Sequence, residues 1–185
     1  MNNLVLDTIK NRRSTRKFTD DQLTEEELQA ILEAGIQAPS ANNSQTWHFT
    51  VIQNREFIKH MNEKSKEAMI NSSDKDISLA GKGNVNLFYN APTLIIVSGK
   101  ETDKSSIVGC SAAIENMLIA AESIGVGGVW IGMVRFFLSL EDEVKKLNIP
   151  EGYQGYYAVA LGHKKDANVI YGAANRNMNV INYIR

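Results

Sequence analysis

The 185-residue chain predicts an α+β domain with a mixed β-sheet, and three observations carry that reading. A helix with a complete start signal opens at Thr24. The run A-P-T-L-I-I-V-S, residues 91–98, reads as a strand covered on both faces. Helical and extended segments then alternate to the C-terminal region without internal repeat or low-complexity block, an order that suits helices packed on one sheet. An apolar fraction of 43% and a charged fraction of 22% are ordinary for a folded chain. The length suits one domain with a substantial core.

The elements follow in order. Residues 2–11 read as a short amphipathic helix with Leu4, Val5 and Ile9 on one side. The basic run R-R-S-T-R-K-F, residues 12–18, comes next as a turn or short extended piece. Thr24 can cap the following helix, with Glu27 completing a capping box and Leu23 and Leu28 placed for a hydrophobic staple. Leu28, Ile31, Leu32 and Ile36 form its apolar stripe, and Pro39 stops it near Ala38. A polar loop, P-S-A-N-N-S-Q-T-W, leads into a strand around Phe49 and Val51.

A charged helix runs from Glu56 to about Ile70, and 71–84, polar and glycine-bearing, reads as an irregular excursion or mobile lid. After the covered strand at 93–98, residues 104–124 form the longest helix, ended by Gly125. V-G-G-V-W-I-G is a glycine-flanked strand. Ser139 and Asp142 start a helix that Pro150 closes, and 156–161 is a further strand. The tail from 168 to 185 has no helical period but carries Val180, Ile181, Tyr183 and Ile184, so it is expected to join its own sheet or reach across a second subunit.

Several functions are excluded or disfavoured. Twenty basic against 21 acidic residues, a net charge of -1, argue against a general nucleic-acid grip. One cysteine, Cys110, forbids an intrachain disulfide and any four-cysteine zinc site, and fits a reducing, cytoplasmic setting. No run reaches bilayer-spanning length, so no membrane partner is expected. His48, His60 and His163 lack a zinc-helix spacing, no serine sits in a nucleophile elbow, and no phosphate-binding glycine motif of the Rossmann or P-loop kind is present.

The basic run carries the chemistry that remains. Arg12, Arg13, Arg16 and Lys17 surround the hydroxyls of Ser14 and Thr15. Guanidinium forks grip phosphate oxygens bidentately and hydroxyls add donors. The same run also fits a solvated basic turn. With the amide-rich loop and the glycine strand, it suits a phosphate-bearing aromatic cofactor, which would bring its own reactivity.

Four pieces together resemble the nitroreductase family of FMN-dependent oxidoreductases: R-R-S-T-R-K-F at 12–18, A-P-S-A-N-N-S-Q-T-W at 38–47, the helix-to-strand piece at 115–132, and L-G-H at 161–163. The resemblance implies a nitroreductase-like sheet flanked by helices, a C-terminal arm on the partner subunit, and a homodimer with shared active sites. It implies that Arg12, Arg13, Ser14 and Arg16 meet the phosphate and ribityl chain of FMN. Pro39, Ser40, Asn43 and Gln45 would reach the ring from the other subunit, Gly127 and Gly128 would run beside it, and Lys164, Lys165 and Arg176 would add a second phosphate grip. Ala41 and Thr46 depart from the family's hydroxyl and proline, which implies a less rigid loop. The implied activity passes hydride from NADH or NADPH through flavin N5 to a nitroaromatic, quinone or similar small acceptor, with no catalytic side chain. Free-flavin reduction, reductive dehalogenation and a non-enzymatic FMN-binding redox role are the alternatives.

Overall fold

The computed structural model describes residues 3–166, 176–177 and 179–185. Its elements are α1 (Leu4–Asn11), α2 (Glu25–Ile36), β1 (Trp47–Ile52), α3 (Arg55–Ile70), α4 (Lys75–Lys82), β2 (Thr93–Lys100), α5 (Ser106–Ser123), β3 (Val126–Ile131), α6 (Arg135–Leu138), α7 (Glu141–Val144) and β4 (Tyr153–His163). The strands form one sheet in the order β1-β2-β4-β3, each neighbouring pair antiparallel. The expected α+β class holds. The sheet's parallel component is a single bridge between Ser14 and Gly128, while Phe18 bridges Lys164 in antiparallel sense.

The period of two along a strand distributes the core to both faces. Leu94 and Ile96 of β2, with Ala158 and Ala160 of β4, join Met61, Phe88 and Phe137 in one apolar cluster. The alternate residues Ile95, Val97, Val159 and Leu161 join Ile31, Ile114 and Met117 of α2 and α5 in the other. Helices therefore cover both faces, as the unbroken apolar run of β2 requires. Cys110 lies wholly buried in this second cluster. Burial pushes its thiol up to about 12, which leaves it inert as a nucleophile.

The α2 start is as the sequence predicts. The Thr24 side chain accepts from the Glu27 main-chain N–H, and the Glu27 carboxylate accepts from that of Thr24. Two segments differ from expectation. Residues 71–84 contain a regular helix, α4, capped by Asp74, whose carboxylate accepts from the Asp76 and Ile77 amides. A methyl on Gly81 would lie 2.9 Å from Ile70 N, so this glycine serves close packing of α4 on α3 rather than a loop. The single helix expected between Ser139 and Pro150 is instead α7 followed by a 3₁₀ turn at Lys145–Leu147, and α6 before it buries Phe137 completely.

In the tail, residues 168–175 and 178 lie outside the described residues. Val180, Ile181, Tyr183 and Ile184 belong to no strand and are exposed, as are Leu4, Val5 and Ile9 of α1.

One glycine governs how the basic run meets the sheet. A methyl on Gly127 would sit 2.7 Å from Thr15 Cγ2 and 2.9 Å from Thr15 Cβ. Gly127→Ala is expected to cost about 1–3 kcal/mol of stability through overpacking. Adding Thr15→Gly to that variant should recover part of the loss, read as denaturant midpoints of the four proteins; an additive double variant would contradict the contact.

Candidate functional site

The basic run becomes a structured strip because main-chain bonds tie both of its ends to the sheet. Thr15 N–H donates to the Gly128 carbonyl at 3.0 Å, Thr19 N–H to the His163 carbonyl at 2.9 Å, and Lys165 N–H to the Lys17 carbonyl at 3.1 Å. Phe18, 9% exposed, plugs the strip into the first apolar cluster. A strip held this way presents its remaining side chains to one side.

That side is a cleft of about 540 Å³ lined by Arg12, Arg13, Ser14, Thr15, Arg16, Lys17, Lys164, Asp166 and Arg176. Six cationic side chains face one carboxylate in this lining. Carboxylates at the rim hold some of them: Arg12 Nε lies 3.4 Å from Glu115, Lys164 Nζ 2.8 Å from Glu122, and Lys17 Nζ 3.1 Å from Asp166. Arg13 Nη1 donates to the carbonyls of Lys10 and Arg12. Arg16 donates through Nε to the Tyr89 hydroxyl at 3.3 Å, and its guanidinium carbon lies 5.7 Å from the Tyr89 ring centroid. The surplus of donors over acceptors, with two hydroxyls between them, fits a doubly charged phosphate ester.

Of the thirteen residues singled out in the sequence, Arg12, Arg13, Ser14, Arg16, Lys164 and Arg176 come together in this cleft. Lys165 is exposed, does not line the cleft, and contributes its amide to the strip. Gly127 and Gly128 are buried in β3 under the strip. Neither has a positive φ, which β3's neighbour Gly125 does have, at 82°. Their lack of a side chain admits Thr15 on one face and Leu118 of α5 on the other.

Pro39, Ser40, Asn43 and Gln45 lie apart from the cleft. The Gln45 amide donates to Ser40 Oγ at 3.0 Å and the Gln45 side chain to Asn43 Oδ1 at 3.2 Å, while Asn42, Asn43 and Gln45 have φ values of 51°, 54° and 46°. The loop is thus a self-bonded, left-handed knuckle. It abuts α5 at Gly109, where a methyl would meet Ser40 Cβ at 3.7 Å. The cleft meets the same helix at Glu115 and Glu122, about 9 and about 20 Å further along the axis. Thr46 is buried, and its carbonyl accepts from Lys100 N–H.

Sequence reading did not single out Tyr89 or Asp166. An acidic residue among lysines gives no signal of its own. A tyrosine in the F-Y-N-A-P segment reads as ordinary strand entry.

His163, beside the strip, places Nε2 3.1 Å from both carboxylate oxygens of Glu27. It ties the first turn of α2 to the end of β4. Among the described residues no group of three or more metal-ligating side chains could hold a metal ion, and no helix is long and apolar enough to cross a membrane.

A strip of arginines docked on a glycine-bearing edge strand, in a helix-covered antiparallel sheet, defines an α+β protein with a cationic, anion-seeking cleft. The profile of the nitroreductase family matches residues 9–163. This chain belongs to the nitroreductase family. An Archaeoglobus fulgidus relative named for NADH dehydrogenase and NAD(P)H nitroreductase activity is 33% identical over 176 residues, covering 92% of this chain and 91% of its own. Two crystal structures of nitroreductases with bound FMN superpose over the full length of both chains. The Bacteroides fragilis protein does so with a TM-score of 0.90 at 34% identity, and the Desulfitobacterium hafniense protein with 0.89 at 31%.

Glu27 yields a pH prediction. Burial pushes its carboxyl up, but hydrogen bonds from the Thr24 main chain and from His163 outweigh burial and hold it below its usual 4.5. A carboxyl depressed on folding stabilises the native state above its unfolded value, and that contribution disappears as pH falls through the folded value. The stability advantage of the wild type over Glu27→Gln should therefore shrink as pH is lowered from about 5 to about 3, measured by urea denaturation. An advantage that grew on acidification would show the opposite sign.

Proposed function

We propose that this protein is an FMN-dependent oxidoreductase that carries reducing equivalents from NADH or NADPH to a small acceptor, such as a nitroaromatic or a quinone, by ping-pong turnover at a homodimer interface. The observation that carries the reading is the cleft itself: six cationic side chains and two hydroxyls against one carboxylate, on the edge of the glycine strand. FMN, when bound, supplies the redox chemistry.

The protein's own groups do the rest. Arg12, Arg13, Ser14 and Arg16 would hold the phosphate and ribityl chain, and Lys164 and Arg176, which share that cleft, would add a second grip. Lys165 would act at longer range, since its side chain is not among the cleft's lining. The same positive field stabilises negative charge that accumulates on a reduced cofactor. Gly127 and Gly128, whose missing side chains make room for Thr15 and Leu118, would present main chain beside the ring. No side chain is required as nucleophile or proton donor, and substrate protons come from water.

The 39–45 loop of a second copy would complete the pocket. Two features support this. None of Pro39, Ser40, Asn43 and Gln45 lines the basic cleft of its own chain. Apolar side chains that one copy leaves exposed, Leu4 at 82% and Val5 at 60% on α1 and Val180, Ile181 and Tyr183 in the tail, offer surface for a partner to bury. A ligand held by two subunits couples its own binding to their association.

The test is anaerobic mixing of the FMN-loaded protein with NADH and with NADPH, followed by nitroaromatic, quinone, flavin and halogenated acceptors. Bleaching of the yellow colour by a nicotinamide and its recovery on adding acceptor are the expected results. Flavin that stays oxidised would leave a binding or sensing role instead. Arg16→Ala should raise the FMN dissociation constant roughly 10- to 150-fold, the weight of a charge-assisted hydrogen bond, and unchanged affinity would remove Arg16 from the site.

A further inference from the structure

Two carboxylates that do not line the basic cleft hold cations that do, and both come from α5. Glu115, Leu118 and Glu122 are spaced i, i+3, i+7, which puts them on one stripe of that helix. Leu118 marks where the stripe meets the sheet, since a methyl on Gly128 would lie 2.8 Å from its Cδ2. The two carboxylates flank this contact about 10 Å apart along the axis. They reach different cations of the cleft, Arg12 and Lys164.

The two pairs are not equivalent. Arg12 meets Glu115 through Nε at 3.4 Å, and the Glu115 side chain is 45% exposed, so water and salt screen the attraction. Lys164 Nζ lies 2.8 Å from Glu122, with side chains 24% and 17% exposed. A short pair so largely withdrawn from water is screened little, and each of its charges acts strongly on a third charge nearby. The Lys164 main chain is fixed by its bridge to Phe18, so its ammonium changes partner only by turning the side chain.

Lys164 therefore has an anion before any ligand arrives. An ammonium has three donors and can bridge two anions, but these then face each other across one nitrogen and repel. A phosphate ester entering the cleft either displaces Glu122 from Lys164 or binds against its charge, and both routes lower affinity. The same carboxylate stabilises the empty cleft, where six cations otherwise repel one another. One side chain thus acts with opposite sign on the empty and the loaded protein.

We propose that Glu122 is a resident counter-anion that competes with the phosphate ester of the ligand for Lys164, a role resting on the reading of the cleft as the FMN phosphate site. It lowers the affinity for the cofactor and raises the stability of the protein without it.

The experiment is equilibrium titration of the flavin-stripped full-length protein with FMN and with riboflavin, alongside urea denaturation of the flavin-free protein. The variants are Glu122→Gln, Glu122→Asp, Lys164→Gln, Glu122→Gln combined with Lys164→Gln, and Arg12→Ala. Glu122→Gln, which keeps the shape and removes the charge, should strengthen FMN roughly 3- to 30-fold, between the weight of an exposed ion pair and that of a charge-assisted hydrogen bond. It should leave riboflavin unchanged and lower the urea midpoint. Glu122→Asp, which withdraws the charge by one methylene, should strengthen FMN by less. In the combined variant the gain should shrink, because the contested cation is gone. If neither Arg12→Ala nor Lys164→Gln lowers the preference for FMN over riboflavin, the phosphate reading fails and the Glu122 role with it. If Arg12→Ala lowers it while the Glu122 variants weaken FMN, leave it unchanged, strengthen both flavins in parallel or keep their full gain without Lys164, the cleft reading stands and the competition is overturned.

Discussion

The docking of residues 14–19 onto the ends of β3 and β4 is the constraint on which the rest of the site depends. Three main-chain hydrogen bonds, the buried Phe18 ring and the missing side chain of Gly127 hold the strip in place. A basic run free in solvent would spread its charges apart, because like charges repel and long side chains lose entropy when confined. Fixing the main chain removes the first freedom. The carboxylates of Glu115, Glu122 and Asp166 offset part of the repulsion from positions around the cations. The result is a concentrated positive field whose backbone is already ordered before any anion arrives.

Helix α5 organises the second half of the architecture. Its buried face packs on α2 and the sheet through Ala113, Met117 and Ala121. Its other positions separate two kinds of chemistry: Glu115 and Glu122 meet cations of the cleft, while Gly109 meets the amide-bearing loop. Cationic grip and neutral hydrogen-bonding groups thus sit on one rigid element but not in one pocket. The apolar side chains of α1 and of the tail lie outside both clusters and stay exposed.

Legibility in the sequence followed the range of the interactions. The α2 start could be read because a capping box and staple span only a few residues. The β2 run could be read because burial on both faces requires continuous apolarity. Residues 71–84 misled because Gly81 and Gly83 look like loop punctuation, whereas Gly81 answers to Met69 and Ile70 on another helix. The segment before Pro150 misled because its local pattern reads as one continuous helix, whereas the chain leaves α7 in a 3₁₀ turn that buries Leu147 in the first apolar cluster. The site was legible to the same extent. Six of the thirteen residues gather in the cleft, the loop residues do not, and Tyr89 was missed because its meaning lies in a contact 73 residues away in sequence with Arg16.

By itself the sequence determined the α+β class, the α2 cap, the covered strand, the family and the chemical character of the anion-seeking run, since each is written in residue types at short spacing. Only the tertiary structure decided which cations converge, that Gly127 serves the approach of Thr15, that Tyr89 meets Arg16, and that the amide loop stands away from the cleft. Those facts depend on distances between segments remote in the chain. Such distances are set by packing on the two faces of one sheet, which no local pattern encodes.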